Sequence, residues 1–463
     1  MLISRYSKPE FDPYGDSSPG ETDVWWPAPT ATGPLEATLS LPGSKSLTNR
    51  ELVLSALADG PSLLRSPLHS RDSDLMVAAL RQFGTVIESV AGAGAGTGDY
   101  GADLQITPGE LLGSTTVDCG LAGTVMRFLP PVAALALGPT TFDGDAGARR
   151  RPMSTTITSL RALGADINDD GRLALPFTVH GTGALSGGPV TIDAGASSQF
   201  VSGLLLAAAR FEHGLHLHHL GERLPSLPHI EMTIATLAGR GIEVQNPSVG
   251  EWIVAPGVIA GAEINIEPDL SSAAPFLAAA LVAGGSVTIA GWPSSTTQVG
   301  AHLAALLPLF GAEVSLDGDR LTVTGHGGIR GVKLDLSSGG ELAPTLVALA
   351  ALADSPSSIT GIGHIRHHET DRLSALATEI NRLGGAVTEL PDGLQINPRP
   401  LHGGQWRTYD DHRMATTGTL IGLAVPGIDI ENIDTTAKTL PQFVELWRTM
   451  MVEGVLGVNQ VRE

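Results

Sequence analysis

The sequence predicts an α/β protein assembled from six copies of one supersecondary unit, divided into two lobes of three. Three observations predict it. A short polar or glycine-rich segment runs directly into an Ala/Leu-rich stretch six times, at 42–60, 118–138, 193–214, 268–285, 337–354 and 410–427. These stretches end at Gly60, Gly138, Gly214, Gly284, Asp354 and Gly427, and so long a repeated period marks a repeated structural unit. Between them lie alternating or β-branched runs and a second helical pattern.

Each repeated stretch reads as a buried helix. Ser, Thr, Asp and Gly at its start satisfy the free N–H groups of the first turn, and the apolar residues that follow have no clear polar face. The strands are expected in LEATLSL (35–41), ADLQITP (102–108), PVTIDAG (189–195), EINIEP (263–268), RLTVTGH (320–326) and GLQINP (393–398). The second helices are expected at 72–84, 154–164, 230–241, 296–311 and 369–385, each with polar residues at helical spacing and a closing Gly. Six units of strand, helix, strand, helix and strand divide by symmetry near residue 267. Residues 1–23, rich in Pro, Gly, Ser and acids, read as a flexible arm, and VWWPAPT after it as a segment docked by its tryptophans.

Composition narrows the function. A chain of 463 residues is too long for one core and predicts two domains. Its net charge of −20 argues against nucleic acid and anionic membrane as partners, so any anion site is local. Lysine occurs only at Lys8, Lys45, Lys333 and Lys438, and two of the four sit in polar segments, GSKS and TTAKT. The single cysteine, Cys119, fits a reducing cytoplasm, and the first thirty residues lack the pattern of a signal peptide. No apolar run approaches the roughly 18 residues that span a bilayer, so the expectation is a cytoplasmic protein.

The polar residues cluster at helix N-termini, where free N–H groups and the positive end of the dipole attract anions. Six such starts suggest a ligand with several negative charges, held in the cleft between lobes. GSKSLTNR places Lys45, Ser46 and Arg50 at one start, where cations oppose the dipole unless an anion joins them. GDAGARRRPM carries Arg149, Arg150 and Arg151, a charge run that reads equally as a solvated loop. SSQF (197–200) offers two hydroxyls and an amide, for capping or for a ligand. HIRHHETDR (364–372) gathers histidines and acids without the i, i+4 spacing of a helical metal site, and no metal is expected. TYDDHRMA adds His412 and Arg413, DTTAKT adds Lys438, and Glu341 is an acid at the start of an apolar helix, a cap or a proton-transfer group. The fourth start, PDLSSAAPF, reads as mainly structural, with Asp269 and Ser271 as caps.

The ordered set LPGSKSLTNR, LAGTVMRF, RRRPM, ASSQF, HETDR, DDHRMA and AKTLPQF, spanning about residues 35 to 450, resembles the 5-enolpyruvylshikimate-3-phosphate (EPSP) synthase family. The resemblance implies a two-lobed enolpyruvyl transferase fold of six βαβαββ repeats, three per lobe, around an interlobe active-site cleft. It implies one lobe at 44–267 and a discontinuous second lobe at 24–43 plus 268–463. It also implies a monomer with no metal or organic cofactor, transferring the enolpyruvyl group of phosphoenolpyruvate to the 5-hydroxyl of shikimate 3-phosphate.

By the same resemblance Lys45 contacts both substrates, and Ser46, Arg50, Ser197, Ser198, Gln199 and Ser226 bind shikimate 3-phosphate. Gly123, Thr124, Arg127 and Arg151 line the phosphoenolpyruvate side, completed by Glu369, Arg372, His412, Arg413 and Lys438. Glu341 stands where the family commonly has Asp, as the group that takes the hydroxyl proton, and Lys45, Glu369, His412 and Lys438 complete the implied catalytic set. The chain departs from the commonest pattern at Leu121, Phe128, His364 and His368, the two histidines standing where Asn and Lys are frequent near the shikimate phosphate. Gly123 leaves room for the phosphoenolpyruvate-competitive herbicide glyphosate. The sister family acting on UDP-N-acetylglucosamine typically carries a cysteine on the arginine loop, and GDAGARRRP has none.

Overall fold

A computed structural model describes residues 24–91, 100–221 and 224–460, with the backbone alone for 453–460. The expected arm at 1–23 lies outside the described residues. Within them the chain forms five four-stranded sheets and one three-stranded sheet. In three of the sheets the order within one unit is first, second, fourth, third strand. Thr115–Asp118 runs parallel to Leu137–Asp143, which pairs antiparallel with Phe177–Thr182, itself paired with Asp166–Asn168. The units that begin at Gly188–Ile192 and Lys333–Asp335 repeat this order. Helices cross between the first and second strands because parallel neighbours need a long connection.

Two units exchange their first strands. Leu35–Leu39 precedes helix Lys45–Leu57, yet it pairs with Gly285–Ala290 of the fourth unit. Glu263–Asn265 precedes helix Leu270–Ala283, yet it pairs with Ser62–Arg65 of the first. The chain thereby crosses twice between two hydrophobic cores. One is built from residues of 52–259, the other from 28–41 together with 270–450. The two crossing strands are tied to each other: Ser44 N donates to Glu267 O at 2.7 Å and Asp269 N to Pro42 O at 2.9 Å. Each then enters a helix, capped by Ser44 and Asp269 respectively.

The buried character expected of the repeated helices is observed. Helices Gly123–Leu135 and Ala343–Ala351 are buried at every position, and Leu270–Ala283 is nearly so. Two expectations need correction. The stretch 296–311 is not one helix but a 3-10 turn at Val299–His302, a single α turn at Leu303–Leu306 and a second 3-10 turn at Leu307–Phe310. Pro308 removes a backbone donor, and a Cβ on Gly300 would lie 2.3 Å from a backbone atom of Leu270, so close packing dictates this segment. Glu341 lies in a 3-10 turn, Gly340–Leu342, ahead of helix Ala343–Ala351. Trp25–Pro27 docks as an edge strand against Ile428–Glu431, parallel to which runs Gly404–Trp406.

One buried ion pair fixes the helices of the first core that carry site residues. Arg240 donates to Glu51 Oε2 from Nε at 2.9 Å and Nη2 at 2.7 Å, and to the hydroxyls of Ser62 and Ser55. It thus ties helix Lys45–Leu57 to the end of Leu227–Gly239. Burial pushes the Glu51 carboxyl up, against the pull of Arg240. Arg240→Met leaves that acid buried without its partner, and we expect a loss of about 3–5 kcal/mol of stability, read from the urea midpoint. A midpoint unchanged by the substitution would contradict this role.

Candidate active site

The helix starts converge where the two cores meet. Helix Lys45–Leu57 contributes Arg50, which is buried without being withdrawn from its neighbours. Its Nε donates to Thr233 Oγ1 at 2.8 Å, Nη1 to Ser46 O at 2.9 Å and Nη2 to His229 O at 2.8 Å. The guanidinium lies 5.3 Å from the ring centre of Phe128, so that departure from the family pattern supplies an aromatic floor. Burial brings Arg50 down to about 9, against the pull of Glu341. Lys45 stands at the edge of the site, its Nζ 3.5 Å from Asp72.

Gly123 opens the second start, and the backbone there is approached closely. A Cβ at this position would lie 2.8 Å from Arg151 Nη2, 2.9 Å from Gln199 Oε1 and 3.3 Å from Arg127 Nη1. Three side chains from separate segments therefore meet over one glycine. Of the Arg149–Arg151 run, only Arg151 is buried, while Arg149 pairs on the surface with Asp143. Arg151 Nη1 donates to Leu121 O at 2.9 Å, and Arg127 Nη2 donates to Pro152 O at 3.1 Å. Arg127 Nε, Arg151 Nε and Gln199 Oε1 are buried without hydrogen-bond partners among the described residues. Burial and then the charge of Arg151 hold the Arg127 guanidinium well below its usual range. Such crowding favours an anion between the two arginines.

Thr124 accepts from Asn49 Nδ2 at 2.7 Å, joining the first two helix starts. Ser198 is buried at the start of helix Gln199–Ala208, whereas Ser197 is part-exposed and its Oγ accepts from Gln199 N. Ser226, with φ of 53°, precedes helix Leu227–Gly239; its N donates to Ser337 O at 3.2 Å, a contact between the two cores.

The second core supplies a denser network. Arg372 forks onto Asp411, Nε to Oδ2 at 2.7 Å and Nη2 to Oδ1 at 3.0 Å, and also reaches Glu369 Oε2 at 2.9 Å. Lys438 Nζ lies 2.6 Å from Glu369 Oε1 and donates to Leu121 O of the first core at 3.1 Å. Burial opposes ionisation of Glu369, but Lys438, Arg372 and Arg151 hold it well below the usual carboxylate range. His412 and His368 are pushed well below theirs, chiefly by burial, and His364 is brought to about 4 by burial with a contribution from Arg372. All three are neutral near pH 7. Arg413 Nη1 donates to Ser271 O at 2.8 Å.

Glu341 faces this network from its 3-10 turn. Its Oε1 accepts from Ser271 Oγ at 2.5 Å, and its Oε2 lies 3.0 Å from His229 Nε2. Burial raises the carboxyl, yet His229, Arg413 and Ser271 together hold it well below the usual range. Besides capping, the fourth unit contacts its neighbours: Ser271 Oγ donates to Glu341, and Asp269 accepts from Lys45 N at 3.1 Å.

The sequence reading missed His229 and Asp411. Asp411 was legible as an acid one residue before a helix, and its carboxylate accepts from Arg413 N at 2.8 Å. Tyr409 and Asp410 before it hold φ of 54° and 56°, and Glu379 fixes this turn by accepting from Tyr409 Oη at 2.6 Å. His229 gave no signal, since its role arises only across the cleft.

The sequence matches, over residues 29–447, the family described as EPSP synthase (3-phosphoshikimate 1-carboxyvinyltransferase). It is 54% identical over 435 residues to a 3-phosphoshikimate 1-carboxyvinyltransferase of Kocuria rhizophila, covering 93% of this chain and 97% of that protein. The fold is similar to EPSP synthase from Acinetobacter baumannii, with a TM-score of 0.73, 24% identity and coverage of 92% and 98% of the two chains. It is also similar to the enolpyruvyl transferase NikO from Streptomyces tendae, at TM-score 0.70, 17% identity and coverage of 91% and 96%. The two structures speak for the fold and the sequence matches for the family: this chain belongs to the EPSP synthase family.

Proposed function

We propose that this chain transfers the enolpyruvyl group of phosphoenolpyruvate to the 5-hydroxyl of shikimate 3-phosphate, releasing phosphate through a tetrahedral ketal. The observation that carries the reading is the set of buried cations around two carboxylates held ionised, Glu341 and Glu369, within a chain of the EPSP synthase family. Phosphoenolpyruvate brings a phosphate and a carboxylate, and Arg127, Arg151, Arg372, Arg413 and Lys438 are cations of the kind that bind both. Arg50, Ser46, Ser197, Ser198, Gln199, Ser226, His364 and His368 are assigned to shikimate 3-phosphate. The proposed lobes, 44–267 and 24–43 plus 268–463, follow the two cores.

In the first step the hydroxyl oxygen bonds to C2 of phosphoenolpyruvate, its proton passes to Glu341, and a proton is delivered to C3. The Lys438–Glu369 pair, 2.6 Å apart, holds the proton for C3. Bound anions compete for the same cations and release it. In the second step C3 returns its proton to that pair, the C2–O bond to phosphate breaks, and the leaving phosphate takes up the proton held by Glu341, which restores both groups.

Among the described residues no helix is long and apolar enough to cross a membrane. Cys119 is buried, with its thiol pushed up to about 12 chiefly by burial, which fits a cytoplasmic protein and a structural thiol.

Phosphate release from phosphoenolpyruvate should require shikimate 3-phosphate, and release independent of it would overturn the reading. In Glu341→Gln we expect shikimate 3-phosphate affinity within about threefold of wild type and kcat lower by about 10²–10⁴-fold. Stopped assays and equilibrium binding separate the two. A phosphate dianion beside His364 and His368 raises their proton affinity above the free values, so binding takes up protons and tightens as pH falls through the bound-state values. Calorimetry at neutral pH in buffers of different ionisation enthalpy should register that uptake, and the His364→Asn, His368→Asn double variant should lose it.

A further inference from the structure

His229 and Glu341 come from different cores and meet tip to tip, His229 Nε2 lying 3.0 Å from Glu341 Oε2. Nothing in the position of His229 is accidental. It lies in the first turn of helix Leu227–Gly239, and its carbonyl is held by Arg50 Nη2 at 2.8 Å and Thr233 Oγ1 at 2.9 Å. Its imidazole is 17% exposed and Glu341 21% exposed, so the pair sits at the cleft wall, open to a ligand rather than sealed in a core. The other carboxylate oxygen, Oε1, takes the Ser271 hydroxyl from the second core.

Resting on the functional reading above, we propose that His229 is a positioning residue for the transfer reaction: it reaches across the cleft, donates Nε2–H to Glu341 Oε2, and completes the proton acceptor only when the two lobes are together. The physical need is plain in the side chain. Glutamate has one more rotatable bond than aspartate, and a base must point its oxygen within hydrogen-bond reach of the proton it removes. Ser271 alone leaves the carboxylate free to turn about that single contact. A second donor from the opposite lobe fixes both oxygens and leaves the remaining lone pairs for the hydroxyl. With the lobes apart, Glu341 keeps only its own-core partners, so proton removal is coupled to closure.

The pair also sets the pH range of the base. The groups facing it are Arg50 on Lys45–Leu57, Arg372 on Arg372–Arg382, Arg413 on His412–Gly422, and His364 on the turn Gly363–His367. His229 is among the causes that hold the Glu341 carboxyl low, and the arginines remain when it is removed. Without His229 the carboxyl therefore rises part of the way toward its ordinary value, and the acid limb of kcat moves to higher pH.

The test compares wild type, His229→Ala, His229→Gln, Glu341→Gln and the double variant His229→Ala, Glu341→Gln in steady-state phosphate release across pH. The expected result is a kcat about 10–100-fold lower in His229→Ala, as for loss of one preorganised donor, with KM for phosphoenolpyruvate changed less than about twofold. His229→Gln, which restores a donor of similar reach, should recover most of kcat, and in His229→Ala the acid limb should shift upward. The double variant should be no slower than Glu341→Gln alone. Wild-type kcat and pH profile in His229→Ala would overturn the proposal. So would an undiminished penalty of His229→Ala in the Glu341→Gln background, or equal losses in Ala and Gln with an unshifted limb. Wild-type turnover reports on the functional reading, and the ratios between variants report on His229, so the two fail separately.

Discussion

Too many buried cations in one place is the constraint from which the rest of this structure follows. Arg50, Arg127, Arg151, Arg372, Arg413 and Lys438 are all withdrawn from solvent, in a chain whose net charge is −20. Only some are neutralised internally: Arg372 by Asp411 and Glu369, and Lys438 by Glu369. Burial, with the charge of Arg151 adding to it, holds Arg127 below its usual range, and each of the two keeps a buried nitrogen without a partner among the described residues. A folded chain tolerates this only where a multiply charged anion completes the balance.

The architecture makes the cluster possible by never asking one element to carry it. Each helix start contributes a few polar groups, and the apolar body behind it anchors that start in a core. Strand exchange between the first and fourth units then locks the starts of Lys45–Leu57 and Leu270–Ala283 to each other through the paired strands that lead into them. The two crossings are short and hydrogen-bonded, so the two cores can approach without losing register. What closes the gap is polar: Lys438 on Leu121 O, Ser226 N on Ser337 O, and His229 on Glu341.

The two carboxylates differ in surroundings, and the proposed roles follow that difference. Glu369 is gripped by Lys438 and Arg372 and is proposed to act together with its lysine neighbour. Glu341 is held by a hydroxyl and an imidazole, weaker and more directional partners that aim it without enclosing it. One site thus keeps a donor and an acceptor apart by giving like side chains unlike neighbours.

Much of this was written in the sequence, because it depends on local rules. The repeated polar-to-apolar stretches gave buried helices with capped starts, since capping and burial are properties of adjacent residues. The ordered motifs pointed to the family and to Lys45, Arg127, Arg151, Glu341, Glu369 and Lys438 by position. The bare run does not say which of Arg149, Arg150 and Arg151 turns inward, but its place before Pro152 in the motif pointed to Arg151, and Arg151 is the buried one. Two things had to wait for the tertiary structure. The segment at 296–311 looked helical by spacing but yields to Pro308 and the close approach of Gly300 to Leu270. His229 carries no local mark at all: its importance is a distance of 3.0 Å to a residue 112 positions away, and only the packing of one core against the other sets that distance.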